Sequence, residues 1–338
     1  MDFDPGDFVV REYEPGDEHA ILAAFNRVFP QIDRTFEPRS LEEWRWRFEE
    51  NPGGRRIWLA FTREGDVVAQ QAAMRIRVLH HGENVRWNHI VDSFADPKRG
   101  GGLKPGVFLL AARPFHDTYG GHPPDKEPCM YGFPVRRAYR IGQKFLYYQT
   151  VRNQNEVRAN PARLKLGASG AVDVEEVRSF PPEIDAFFER ARRPHGALAV
   201  RDRAFLDWRF VRRPGVRYRI ALARKRGSRE LVGYAVFRKA TFDLKEGGLV
   251  MDWLLDPDER AGGNALRDWL ASCAREENAA QLRGIFPEPC ADFREFQQAG
   301  FRVHPTSYFL SAGSNLPGFH TLRMYWDWYY TLAEFDLA

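Results

Sequence analysis

The sequence is poor in cysteine: among 338 residues there are three, Cys129, Cys273 and Cys290, and none lies in a Cys-x-x-Cys pair. A disulfide framework and the common zinc patterns are excluded, so no metal is expected and the expected compartment is reducing and cytoplasmic. Long apolar runs are missing as well. No stretch of about 18 apolar residues occurs, so neither a transmembrane helix nor a membrane partner is expected. The first ten residues, MDFDPGDFVV, are acidic and broken by Pro5, unlike a secretory signal. There is no Gly-x-x-x-x-Gly-Lys-Ser/Thr, no Gly-x-Gly-x-x-Gly after a strand, no His-Glu-x-x-His and no Gly-x-Ser-x-Gly. A nucleotide P-loop, a dinucleotide fingerprint, a zinc protease and a serine nucleophile elbow are thereby set aside. Lysine is scarce too, with eight against 42 arginines.

What remains is the composition of a folded enzyme or binding protein. Apolar residues make up 43% and charged residues 28%, near globular averages. The net charge is +4, and the arginines alternate with acids, as in Glu42-Glu43-Trp44-Arg45-Trp46-Arg47-Phe48-Glu49, rather than gathering in a tail. A nucleic-acid partner is therefore not expected. At about 150 residues per domain, the length allows two domains.

Two copies of one pattern fill that length. Trp46-Arg47-Phe48-x-x-x-Pro52-Gly53 recurs as Trp208-Arg209-Phe210-x-x-x-Pro214-Gly215. Each is followed by two apolar stretches around a turn, Ile57–Phe61 with Val67–Gln70 and Tyr218–Leu222 with Leu231–Tyr234, which reads as a hairpin. Ile90-Val91-Asp92-Ser93-Phe94-Ala95-Asp96-Pro97 then answers Val250-Met251-Asp252-Trp253-Leu254-Leu255-Asp256-Pro257. Arg99-Gly100-Gly101-Gly102 answers Arg260-Ala261-Gly262-Gly263, and helical stretches follow at 105–118 and 264–277. Gly132-Phe133-Pro134 answers Ile285-Phe286-Pro287, and Ile141-Gly142 answers Ala299-Gly300. An ordered series of landmarks at nearly constant offset indicates a duplication.

The order strand, Asp-Pro, Arg-Gly-rich turn, helix, strand, helix, Gly-Phe resembles the GNAT (Gcn5-related) acyltransferase superfamily. The residues carrying the likeness are Asp96–Gly102 in the first copy, and Arg260–Ala265 with Phe296-Gln297-Gln298-Ala299-Gly300-Phe301 in the second. The resemblance implies an α/β (α+β) fold of two tandem GNAT-like domains. Each would hold a mixed, mostly antiparallel central sheet flanked by helices. The expected boundaries are 1–152 for the first domain, 153–171 for a linker, 172–312 for the second domain, and 313–338 for an aromatic tail packed on the domains. The glycine turn has its own physical logic. A turn feeding a helix N-terminus offers free N–H groups and a positive dipole end, and glycine lets an anion approach closely. In the family that anion is the coenzyme A pyrophosphate.

The resemblance implies an N-acyltransferase that moves an acyl group, by default acetyl from acetyl-CoA, directly onto a primary amine of a small molecule. The oxyanion donor in the family is backbone on the fourth strand, here around Phe94 and Ala95. Cofactor binding falls to Phe94, Ala95, Lys98, Arg99, Gly100, Gly101, Gly102 and Leu103. Asp92 is the candidate base, and alternation puts it on one face with Phe94 and Asp96. An aspartate tied to a neighbouring arginine is the competing reading, and Asp252 repeats it in the second copy. The family's usual acid is a tyrosine four residues before the closing glycine. Ala138 and Phe296 stand there, leaving Tyr139 as a shifted candidate. The histidines, including His116 and His122 in a loop expected over His116–Pro128, read as surface or loop residues. Trp326 and Tyr330 of the tail could pack on the domains or line an acceptor pocket. A monomer is compatible with two copies packing on each other. The alternative function is a non-catalytic protein that binds or senses acyl-CoA or a metabolite.

Overall fold

The structure is a computed structural model describing residues 5–31, 36–98, 106–164, 167, 170–316 and 318–336. In chain order the first copy runs β1 (Phe8–Glu12), α1 (Asp17–Val28), α2 (Leu41–Phe48), β2 (Arg55–Thr62), β3 (Val67–His80), β4 (Glu83–Ala95), α3 (Gly106–Tyr119), β5 (Met130–Gly132), α4 (Arg136–Phe145) and β6 (Gln149–Ala159). The second copy repeats the order as β7 (Val172–Val177), α5 (Ile184–Ala191), a short β8 (Ala197–Ala199), α6 (Arg203–Phe210), β9 (Arg219–Lys225), β10 (Leu231–Phe242), β11 (Lys245–Leu255), α7 (Gly262–Glu276), β12 (Leu282–Gly284), α8 (Ala291–Gln298) and β13 (Arg302–Gly313). A helical turn, α9 (Met324–Asp327), and β14 (Trp328–Tyr329) follow.

Local chemistry repeats with the order. Ser40 caps α2 by accepting from the Glu43 N–H at 3.1 Å, and Asp202 caps α6 by accepting from the Phe205 N–H at 3.0 Å. The Trp-Arg-Phe motif ends each of these helices and buries Trp46 and Phe48, or Trp208 and Phe210. At Gly53, past the first motif, a Cβ would stand 1.8 Å from the carbonyl oxygen of Arg75, so only glycine permits the approach.

The chain divides into two compact units, Met1–Arg77 with Val85–Thr150 and Leu310–Thr321, and Val78–Asn84 with Val151–Phe309 and Leu322–Ala338. In the first unit β1, β2, β3 and β4 are sheet neighbours in that order, and β5 joins β4 in parallel. Ser311–Gly313 of β13 then pairs antiparallel with β5. In the second unit β7, β9, β10 and β11 form an antiparallel series, β12 joins β11 in parallel, and β6 pairs antiparallel with β12. The strand closing each copy therefore completes the sheet of the other unit. Its core gathers Val157, Ala221, Phe237, Trp253, Leu266 and Phe296 between sheet and helices.

This corrects the linker expected from residue 153. Asn153–Ala159 is the body of β6. The segment reads as polar because its buried polar residues find partners: Glu156 accepts from Arg283 at 2.6 Å, and Gln154 accepts from the Tyr330 hydroxyl at 2.8 Å. A hydropathy pattern does not register a strand whose interior face is paired polar groups.

Candidate active site

In the first copy, β4 and β5 pair only at Asn88 with Met130 and His89 with Tyr131. The ladder ends at His89, and beyond it Ile90, Asp92, Ser93 and Ala95 are half-buried. The strand bends at Asp92, whose φ is +52°, a left-handed value that an aspartate tolerates better than most residues. There the ladder gives way to a side chain: Gln70 Nε2 donates to the Asp92 carbonyl at 2.8 Å. Asp92, Phe94 and Asp96 all reach the α1–α2 side. The Asp92 carboxylate accepts from Arg39, with Arg47 Nη1 3.7 Å from its other oxygen. Phe94 meets Phe25 and Phe29 edge-on, and Asp96 accepts from Arg27 Nε at 3.0 Å. Ala95 packs instead with Val107 and Ala111 of α3.

The second copy has the same frame with larger side chains in it. Asp252 pairs with Arg201 at 3.1 Å, as Asp92 does with Arg39, and Asp256 accepts from Arg190 at 2.9 Å, as Asp96 does from Arg27. The second strand is irregular beside its aspartate by a bulge instead: Val236 faces Asp252 while Phe237 faces Val250. Where the first copy has the small Ser93 and Ala95, the second has Trp253 and Leu255, both buried. Trp253 Nε1 donates to Asp292 at 3.0 Å, and its ring meets Phe296 at 5.0 Å. The end of the chain packs beside these residues and borders a cavity of about 250 Å³ lined by Leu255, Arg260, Asp292, Trp326 and Tyr329. The Tyr329 hydroxyl donates to the Trp253 carbonyl at 2.7 Å, and Thr331 Oγ1 lies 2.8 Å from Asp252. Arg209 donates to the carbonyls of Ala333 and Phe335, and Glu334 meets Arg201 at 2.6 Å. Two buried carboxylates thus share one guanidinium. Burial and the Asp252 charge hold Glu334 above the usual glutamate value, with Arg201 opposing them.

The glycine turn of the second copy uses up its own donors. Gly262 N–H bonds to the Glu259 carbonyl at 3.3 Å and Gly263 N–H to the Arg260 carbonyl at 3.0 Å. Arg260 is held by Asp292 and Glu295, and Glu259 by Lys225. A Cβ on Gly263 would sit 3.0 Å from Leu255, so the glycine serves helix-to-sheet packing.

Of the residues read as functional, Asp92, Phe94 and Ala95 lie together on β4. Lys98 is exposed just beyond, its N–H bonded to Asp96 at 2.9 Å. Arg99, Gly100, Gly101, Gly102 and Leu103 lie outside the described residues. Tyr139 lies on α4, its hydroxyl 2.6 Å from that of Thr150. One expectation is corrected. His116 belongs to α3 and is buried, which pushes its pKa down to about 3, and its Nε2 has no hydrogen-bond partner. Cys129 is buried as well. Sequence reasoning missed Arg39 and Arg201, although they stand 162 residues apart like the Trp-Arg-Phe motifs, and it missed the meaning of Ser93 set against Trp253. Trp326 of the tail is exposed while Tyr330 is buried. Among the described residues no group of histidine, cysteine or acid side chains could hold a metal ion, and no helix is long and apolar enough to cross a membrane.

No protein-family model matches the sequence, and no curated protein matches it. Solved structures do match. A GCN5-related N-acetyltransferase from Anabaena variabilis aligns with a TM-score of 0.64 at 11% identity, covering 90% of this chain and 72% of the other. A tandem GNAT protein from the clavulanic acid biosynthesis pathway aligns at 0.58 and 12% identity, covering 90% and 98%. The chain has a tandem GNAT fold. An N-myristoyltransferase from Saccharomyces cerevisiae, with myristoyl-CoA bound, also aligns, with a TM-score of 0.54, 11% identity and 92% and 85% coverage. At these identities the likeness is one of fold.

Proposed function

We propose that the chain is an acyl-CoA-dependent N-acyltransferase that works through its first copy, with acetyl-CoA as the default donor and a small primary amine as acceptor. The observation that carries this reading is the contrast between Ser93 and Ala95, small and half-buried beyond the end of the β4–β5 ladder, and the bulky, buried Trp253 and Leu255 of the second copy. An edge strand without a neighbour offers N–H and C=O groups to any extended chain of amides, which is what the pantetheine arm of an acyl-CoA is. The residues from Ile90 to Ala95 fit such an arm. The glycine turn that would take the pyrophosphate belongs to the same proposal.

In the reaction the amine nitrogen attacks the thioester carbonyl, a backbone N–H near Phe94 and Ala95 stabilises the oxyanion, and the C–S bond breaks to leave amide and thiol. The nitrogen gives up one proton and the sulfur gains one. Asp92 is assigned to the base side of this exchange and Tyr139 to the acid side. Because Asp92 already faces two guanidiniums, its first contribution is to hold the bend that presents the oxyanion donor. Release of free thiol from acetyl-CoA with a panel of small amines tests the proposal, and Tyr139→Phe should lower turnover more than it raises KM. Binding of acetyl-CoA without thiol release from any amine would favour the second reading, a binding or sensing protein. The Arg39 and Arg47 contacts on Asp92 support that reading, as does the lack of a hydroxyl at Ala138.

A further inference from the structure

Several arginines in the second unit lie against acids. Arg190 pairs with Asp256, Arg219 with Glu176 and Glu276, Arg224 with Glu183, and Arg283 with Glu156. The arginines around one cavity are held differently. It measures about 350 Å³ and is lined by Arg158, Asn160, Arg163, Gln281, Arg302 and His304, with no carboxylate among its lining residues. Arg163 and Arg302 make no ion pair among the described residues. Arg158 reaches Glu156 through one terminal nitrogen, but Arg283 shares that carboxylate, and the buried Nε of Arg158 has no hydrogen-bond partner.

The cavity belongs to the second unit, whereas the proposed acyl-CoA site belongs to the first. Gln281 precedes β12, and Arg302 and His304 open β13, so the cavity is at the start of β12. Three arginines line it, from the end of β6, the turn that follows it and the start of β13, and Arg163 and Arg302 are exposed to solvent. Guanidinium donors form forks matched to oxyanions, and an uncompensated cluster of them favours an anion of more than one charge. The volume is at the small end of metabolite sites.

We propose that this cavity is a binding site for a small phosphorylated metabolite, separate from the acyl-transfer site and independent of the proposed reaction. The test is calorimetric titration of the full chain, saturated with coenzyme A, with inorganic pyrophosphate, with citrate, and with a short single-stranded oligonucleotide. Pyrophosphate should bind at one site, and Arg163→Ala with Arg302→Ala should weaken it by about ten-fold or more. Arg192→Ala with Arg193→Ala, which takes the same charge from the exposed end of α5, should leave it unchanged. Absence of pyrophosphate binding would overturn the proposal, as would equal weakening in both double variants. Binding of citrate or of the oligonucleotide without pyrophosphate would also overturn it, in favour of a carboxylate or a nucleic acid.

Discussion

Asp92 and Asp252 face Arg39 and Arg201 from equivalent positions, and the pairing decides what each aspartate can do. A buried carboxylate beside buried guanidiniums is costly to remove, because the arginines are left charged without a partner. Asp92→Asn should therefore lower stability by about 3 kcal/mol in denaturant titration. If the variant keeps its stability and loses only turnover, proton transfer outweighs the positioning role. His116 sets the pH behaviour at this scale. Burial holds its folded pKa near about 3, while the unfolded ring titrates near its ordinary value. Unfolding therefore takes up a proton below about pH 6.5, so stability is full above that pH and falls as the pH drops toward 3. Relative to His116→Leu, the native chain should lose about 2 kcal/mol between pH 6.5 and 5, read from denaturation midpoints. Equal slopes would mean that the ring is hydrated.

Elements differ in how plainly the sequence announces them. The hairpins, the Trp-Arg-Phe helices and the helices after the glycine turns can be read directly, since each rests on local periodicity or a capping residue. Helix α7 begins at Gly262 where the spacing points to 264. β6 was hidden by its own polar residues, and no local rule tells that it pairs with β12, 123 residues away at Ala159 and Leu282. The tail showed its aromatics, but its place beside Asp252 depends on contacts that form only in the fold. Deleting residues 328–338 would expose the backbone of Met251–Leu255 and remove the buried Trp328, Tyr329, Tyr330, Leu332 and Phe335. Amide exchange at 251–255 should then accelerate strongly while exchange in β2 and β3 up to Arg77 stays protected. Helix α4 offers a sharper test. A Cβ at Gly142 would stand 2.2 Å from the Tyr148 ring, so Gly142→Ala should cost about 1–3 kcal/mol by thermal unfolding. A neutral substitution would show that Tyr148 moves freely.

For the molecule as a whole, the proposed function gives one copy the work and the other a supporting part. Both keep the arginine-held aspartates, and both sequences keep the arginine-glycine run, which is why the fold could be read from repeated landmarks. What distinguishes the copies is side-chain volume at two positions: Ser93 and Ala95 in one, Trp253 and Leu255 in the other. Those letters are plain in the sequence, but their meaning rests on which face of a bent strand each side chain takes, and alternation alone does not give that. The proposed function turns on acyl-CoA binding to the first copy and not the second. Calorimetric titration with acetyl-CoA, run on the native chain and on Ser93→Trp, is the direct test. One site per chain is expected, lost when tryptophan stands at position 93 as it does at 253. Two sites, or one site that survives Ser93→Trp, would show instead that the second copy binds acyl-CoA.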